Sequence, residues 1–562
     1  MNNKLCYLLN CTKKNKCCNS IHWHINNLYG GGNNQWTTLE HNGPLFPPEY
    51  KPHNIPIIIK NKEIKLSPLT EEYATMYSKY IDTPYITSSI FKKNFWKEFK
   101  PELMKDINDK ELKLENIDFS LIHKYLLEEK EKKNLISKEE KEIIKASKEE
   151  LEKIYKYCII DGVQQTVGNF RIEPPGIFIG RGTHPKLGMI KKRVYPEDVI
   201  INISEEVKIP EPSLKGHKWK EIIHDKSVVW LASWKEPITN KNKYIFTSFD
   251  SFFKAKSDEN KFNLAKQLKK KVLQIRNKYI EDLDCDEIKT RQLASALYFI
   301  DNLALRAGGN KNVKEEADTV GVTSLRVEHI QLLDDFNIKL DFLGKDSVRY
   351  CKKIKVIESI YNNIKDFSQN KNKKDELFDK INNQMLNLYL DSFMSGLTSK
   401  VWRTYNASIN FQNNLDKINT EKLDKMDINE KLNYLIAIFN QANTAVAILC
   451  NHQKSKTTSN TQIDKFSEQI KNLVLKKKKY MESQNMSKVK IIVQKIKLLK
   501  LKKKVKSEMK NVSLGTSKNN YIDPRIIFSF IKKFNIPAEK LFTKTLLKRF
   551  EWASQVDANY RF

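Results

Sequence analysis

Apolar residues change their spacing several times along this chain, and each change predicts a change of element. A short apolar run, Ile57 to Ile59, precedes a helical pattern that starts near Glu71. From 100 to 157, Lys and Glu dominate between periodic Leu and Ile, which predicts a pair of solvated helices. Between 159 and 250 the pattern breaks into short pieces such as Val228 to Trp234. These are punctuated by Gly168, Gly176, Gly180, Pro174, Pro175 and Pro210, so small sheets are expected. A helical stripe returns over 262–307, with Leu293, Leu297, Ile300 and Leu303 on one face. Arg306 is expected in its last turn, and Gly308-Gly309 offers a stop. A hairpin follows, in which Ile338, Leu340 and Phe342 alternate, Gly344 to Ser347 turns the chain, and Val348 and Tyr350 alternate again. Residues 375–452 read mostly as helix.

Residues 454–510 form a distinct unit with 18 lysines and 4 acids. Its apolar residues recur at Ile463, Phe466, Ile470 and Val474, then at Val489, Ile492, Ile496 and Leu499, in steps of three and four. With the polar stretch Glu482 to Asn485 between them, two antiparallel helices are expected; a disordered Lys-rich linker is the bland alternative, since like charges repel. The last unit, 511–562, is expected to hold two short helices, with Tyr521 on a loop before the second.

Charge narrows the class of partner. Among 562 residues, 99 Lys plus Arg stand against 68 Asp plus Glu, a formal net charge of +31. That field favours a polyanion, either nucleic acid or an acidic membrane surface. No run of 18 apolar residues occurs, so no membrane span is expected. Residues 1–35 read as a disordered basic leader containing Cys6, Cys11, Cys17, Cys18, His22 and His24. The cysteine spacing is not a regular C-x2-C pair, so an unstructured leader is preferred to a zinc site. The first acid is Glu40, as in transit peptides, but arginine is missing from that stretch, leaving an organelle the minority reading.

Tyr521 gives the chain a candidate chemistry, because a phenol can attack a phosphodiester and hold the broken strand covalently. Such a step needs cations for the spreading negative charge and a proton for the leaving sugar oxygen. Arginine forks suit phosphate oxygens, histidine can donate a further hydrogen bond, and lysine is a proton source whose pKa falls readily near other cations. Arg306, Lys345, Arg403 and His452 supply these types at the ends of predicted helices and at the hairpin tip. Taken singly, each has a plain structural explanation, and spacing alone does not join them.

The joining comes from a resemblance. The chain resembles the eukaryotic type IB DNA topoisomerases from about Trp36 to Phe562. The resemblance is carried by ordered blocks at Gly168–Gly176, Gly180–Lys186, Gly216–Glu221, Leu303–Gly308, Ser324–Ile330, Phe342–Ser347, Lys400–Ser408, Ile448–Gln453 and Gly515–Arg525. It implies an α+β, multi-domain fold: a bi-lobed DNA clamp with a mainly helical catalytic lobe of the tyrosine recombinase and type IB topoisomerase kind. The implied domains are a DNA-binding cap over 36–250 with a helical insert at about 57–137, a catalytic core over 251–453, a linker helical hairpin over 454–510 and a C-terminal domain over 511–562.

The resemblance also assigns roles. Tyr521 matches the nucleophile that forms a 3′-phosphotyrosine. Arg306, Arg403 and His452 match the residues that bind the scissile phosphate, and Lys345 matches the general acid. Arg181, His184, Lys191, Lys192, Arg193, Asp346 and Asn520 go with them as DNA contacts. Arg181, Asp346 and Asn520 also match positions that touch camptothecin-type inhibitors. Double-stranded DNA is the implied partner of a monomeric nuclear enzyme with no membrane association. No ATP or metal is implied, and no G-x4-G-K-[ST] loop occurs. Thr183 and Gly309-Asn310 depart from the common pattern, and the linker is shorter than in the animal enzymes. A tyrosine recombinase is the nearest rival, but Lys400-Val401-Trp402-Arg403 gives K-x-x-R where recombinases usually carry H-x-x-R. A DNA-binding scaffold with a dead site is the rival from another class.

Overall fold

The computed structural model describes residues 35–109, 111–309, 311–313, 315–423, 426–454 and 461–562. Most of the basic leader with its Cys and His cluster, Asn310, and the first residues of the linker after Lys454 lie outside them. The chain divides into two compact units. One extends to Lys254 and takes in Asn312–Ala317; the other comprises Ala255–Lys311 and Asp318–Phe562.

The first unit has two cores. One forms under helices α1 (Pro68–Ser78) and α2 (Ser89–Asp106). Phe91, Phe95, Phe99 and Leu103 recur every four residues on α2 and are fully buried against Tyr77 and Phe119. The insert expected as helical opens instead with a small sheet, Lys62–Ile64 beside Ile57–Ile59 beside Ile117–Asp118. The cause is local. Three successive isoleucines favour extended backbone, and Lys60 and Asn61 both take positive φ (49° and 60°), the geometry of a tight hairpin turn. Helices α3 (Ser120–Leu135) and α4 (Lys138–Lys153) follow, the second begun by a Ser137–Glu140 capping box and largely exposed.

The other core of this unit lies among small sheets. One is antiparallel, Leu39–His41 with Tyr157–Ile160 with Val163–Thr166; another orders Glu221–Ile223, Val199–Asn202, Ala232–Lys235 and Asn242–Ile245. Strand Tyr157–Ile160 alternates exposed and buried positions, so Cys158 and Ile160 face inward with Trp36, Phe170 and Trp234.

The second unit is mainly helical around one large core. Helices α5 (Phe252–Asp282) and α6 (Ile288–Leu303) precede a three-stranded antiparallel sheet, Ile330–Leu333, Asn337–Gly344 and Val348–Lys355. Then come α7 (Glu358–Phe367), α8 (Asn383–Phe393), α9 (Ser399–Leu415) and α10 (Ile428–Leu449). Helix α10 is long and apolar enough to cross a membrane. Its Leu435, Phe439, Ala442 and Val446 are instead buried in the core beside α9. The Lys-rich segment forms two packed helices, α11 (Thr461–Glu482) and α12 (Met486–Glu508), turning at Ser483–Asn485. Val489, Ile492 and Ile496 are buried as the periodicity predicts, whereas Val474 is exposed and Leu473 is half-buried in its stead. The chain closes with α13 (Leu514–Asn520), α14 (Pro524–Phe534) and α15 (Lys544–Arg549), one helix more than expected.

Candidate active site

Helix α6 stops earlier than its Gly308-Gly309 signal suggests. Ala304 takes the left-handed conformation (φ 49°, ψ 33°) and ends it, so Arg306 lies beyond the helix rather than in its last turn. The Arg306 carbonyl accepts from Val322 N at 2.9 Å, which fixes the backbone there. Gly308 has a different duty. Its backbone passes so close to Gly321 that an added Cβ would lie 2.6 Å from the Gly321 Cα.

Arg403 sits in the second turn of α9, which Thr398 caps by accepting from Val401 N. The guanidinium is almost fully buried, and every arm is assigned. Nε donates to Ala304 O at 2.6 Å, Nη2 to Cys450 O at 3.1 Å and Nη1 to the Tyr521 phenol oxygen at 3.2 Å. The carbonyl presented by the left-handed Ala304 thus holds the arginine. Beneath it, Trp402 Nε1 donates to Asp301 at 3.1 Å, and Arg276 and Tyr279 bind the same carboxylate.

His452 follows α10 after Asn451, which turns the chain at φ 53°. Its amide donates to Ala447 O at 2.8 Å, and its carbonyl accepts from Ser513 N at 2.7 Å. The imidazole is buried. Nδ1 lies 2.7 Å from Ser517 Oγ, and Nε2 has no hydrogen-bond partner among the described residues. Burial first, then the charges of Arg403 and Arg306, push its pKa down to about 3, so the ring is neutral.

Tyr521 does not lie on the expected loop. The structure places it at the C-terminal end of α13, buried, with its amide donating to Ser517 O at 2.9 Å. Its ring centroid is 5.2 Å from that of His452 and 4.9 Å from the Arg403 guanidinium carbon. Ser408 Oγ ties the next turn down, donating to Tyr521 O at 3.1 Å and accepting from Asp523 N at 3.0 Å. Asp523 caps α14 through Arg525 N, with Pro524 in the first turn.

Lys345 is exposed at the tip of the expected hairpin, in a three-residue loop where Asp346 and Ser347 take positive φ. One concavity is lined by Arg306, Lys345, Asp346, Arg403, His452 and Thr516. The structure therefore gathers four of the five expected side chains around one hollow and sets the fifth, Tyr521, against two of them. Three cations and a neutral imidazole facing one space suit an anion with several oxygens.

The other expected contacts are more varied. Asn520 is exposed, and its carbonyl accepts from Lys261 at 3.0 Å. In the first unit, Arg181 lies on an exposed loop and Lys192 is exposed. His184 is half-buried, in a T-shaped ring contact with Phe178. Lys191 and Arg193 both have acidic partners. Lys191 is paired with Glu173, and Arg193 binds Glu72 at 2.8 Å and Pro48 O at 2.7 Å, so both cations are already neutralised locally. Sequence reasoning missed Ser408, Ser517 and Asp301. For Ser517 a signal existed, since it precedes Tyr521 by four residues and a helix would put both on one face.

Three family descriptions match nearly the whole described chain. "Eukaryotic DNA topoisomerase I, DNA binding fragment" covers residues 34–247, "Eukaryotic DNA topoisomerase I, catalytic core" covers 250–512, and "C-terminal topoisomerase domain" covers 493–562. Over 559 residues the chain is 43% identical to DNA topoisomerase 1 of Homo sapiens, spanning 94% of this chain and 72% of that protein. It is 43% identical over 547 residues to DNA topoisomerase 1 of Caenorhabditis elegans (92% and 66%), and 40% identical over 561 to DNA topoisomerase 1 beta of Arabidopsis thaliana (95% and 60%). The chain belongs to the eukaryotic DNA topoisomerase I family. Its activity is that of a type I DNA topoisomerase, an isomerase acting on bound DNA.

Proposed function

We propose that this enzyme works by the type IB route, with Tyr521 as nucleophile and Arg306, Lys345, Arg403 and His452 as the groups that serve it. The phenol oxygen of Tyr521 bonds to phosphorus as the bond from phosphorus to the 5′ sugar oxygen breaks, and the phenolic proton leaves to water. Arg306 and Arg403 bind the non-bridging oxygens, where charge accumulates in the transition state. Neutral His452 donates from Nε2 to one of them. Lys345 gives a proton to the departing oxygen, leaving a 3′-phosphotyrosine and a free 5′-hydroxyl. Reversal of the same exchange reseals the strand after the duplex has turned, so no nucleotide is consumed.

The observation that carries this reading is the buried contact of Tyr521 with Arg403 and His452 at the edge of a hollow lined by Arg306 and Lys345. By the same resemblance, the first unit serves as the cap of a bi-lobed DNA clamp. The α11–α12 hairpin is the linker that slows rotation, and residues 511–562 deliver the tyrosine. The enzyme acts as a monomer in the nucleus. Asp346 and Asn520 border the cleavage position, where a camptothecin-type inhibitor would stack.

The test is relaxation of positively and negatively supercoiled plasmid in EDTA without nucleotide, alongside trapping of the covalent adduct. Both plasmids relax, and the adduct forms. Tyr521→Phe loses the adduct and keeps salt-dependent DNA binding. An adduct that persists in Tyr521→Phe overturns the assignment. Strand exchange between two sites, with plain plasmid left supercoiled, would instead favour a recombinase.

A further inference from the structure

Phosphate oxygens only accept hydrogen bonds. A neutral imidazole that serves one must therefore carry its proton on the nitrogen facing it and leave the other nitrogen bare. At His452 the nitrogen without a protein partner is Nε2, and the opposite nitrogen, Nδ1, faces the Ser517 hydroxyl at 2.7 Å. A hydroxyl can donate to a bare nitrogen. A carbonyl at that place would force the proton onto Nδ1, and a carboxylate would also draw a second proton onto the ring. Ser517 is itself fully buried, so water does not compete for the bond.

Ser517 has a second attachment. Its carbonyl accepts from Tyr521 N at 2.9 Å and from Ile522 N at 3.1 Å. Ser513, at the start of the same helix, donates its amide to the His452 carbonyl at 2.7 Å. One short helix, α13, thus holds the histidine at one side and ends in the tyrosine at the other.

We propose that Ser517 is a positioning residue for strand cleavage: its hydroxyl donates to Nδ1 of His452, fixing the tautomer that presents Nε2–H to the scissile phosphate, and its backbone aligns that donor with Tyr521. The proposal rests on the role given to His452 above. The nucleophile and the phosphate donor are then set together when α13 docks.

A double-mutant cycle tests it on the full-length enzyme, using single-turnover cleavage of a duplex oligonucleotide. Ser517→Ala slows cleavage about tenfold, the value of one lost hydrogen bond to a reacting group. In a His452→Ala background the same change has no further effect. DNA affinity stays as in the parent, and the loss in rate disappears when His452 is absent, a coupling that a merely structural serine would not give. Equal losses in both backgrounds, or no loss in either, would overturn the proposal. If Ser517→Ala fails to fold, the nearly isosteric Ser517→Cys, a weaker donor, carries the same cycle with the same two readings. A cycle that is additive while His452→Ala alone remains slow sinks only the role of Ser517. A His452→Ala enzyme that cleaves at the parent rate sinks the reading of the histidine beneath it.

Discussion

At the scale of single residues, burial and charge act on the His452 imidazole in one direction. Desolvation disfavours the imidazolium, and Arg403 and Arg306 repel it, so the folded-state pKa lies near 3, below the ordinary 6.5. The sign of the linkage follows. Above pH 6.5 the ring is neutral whether the chain is folded or not, and it contributes no pH dependence. Below that value the unfolded chain binds a proton that the folded chain refuses, so stability falls as pH drops from 6.5 toward about 3. His452→Gln removes this contribution. The unfolding free energy of the DNA-free enzyme is therefore expected to fall more steeply than that of the variant, by up to about 1.4 kcal/mol per pH unit at the lower end of the window. Denaturant titrations between pH 7 and 4.5 measure the difference. Parallel curves would mean that the ring is not held neutral.

At the scale of elements, the hairpin and the end of α6 show which structure the sequence makes legible and which it hides. Alternation of Ile338, Leu340 and Phe342 around a Gly-Lys-Asp-Ser turn is a short-range signal, and the strands pair in the register it implies, Gly344 opposite Val348. The helix stop is hidden because alanine rarely takes left-handed backbone, and the glycines that look like a stop serve the close pass with Gly321. Helix α13 is hidden for another reason. Gly515, Thr516, Ser517 and two asparagines have weak helix propensity, and the segment is held by contacts distant in sequence, among them Asn443 Nδ2 to Leu514 O and Ser517 to His452. The identities of the five reactive residues were readable only through resemblance, since nothing in their spacing brings Arg306, Arg403 and Tyr521 to one place. Ala304 gives a test at this scale. Ala304→Gly suits the left-handed backbone and changes stability by less than about 1 kcal/mol. Ala304→Val places a β-branched side chain in a buried left-handed position, costs roughly 1–3 kcal/mol, and shifts the carbonyl that holds Arg403 Nε. Lower melting temperature and slower cleavage are expected together in the valine variant, and neither in the glycine variant.

At the scale of the molecule, the net charge of +31 is the main long-range force toward DNA. Few of the surface cations are needed at the reacting phosphate, so most of the field serves capture and residence rather than chemistry. The α11–α12 hairpin concentrates it. Its apolar stripe holds the two helices together, Lys502 reaches Asn433 on α10, and Lys476 to Lys479 form an unbroken basic run on α11. If these lysines neutralise phosphates, each releases condensed counterions, and the logarithm of the affinity falls linearly with the logarithm of salt by about 0.9 for each contact. Replacing all four by glutamine is then expected to reduce that slope by up to about 3.6, with binding weakened most at low salt. Single-turnover cleavage of DNA already bound should be unchanged, because the reacting groups lie on other elements. Plasmid affinity measured from 50 to 300 mM salt separates the alternatives. An unchanged slope would mean that the basic run faces solvent and that the capture of DNA rests on cations elsewhere in the chain.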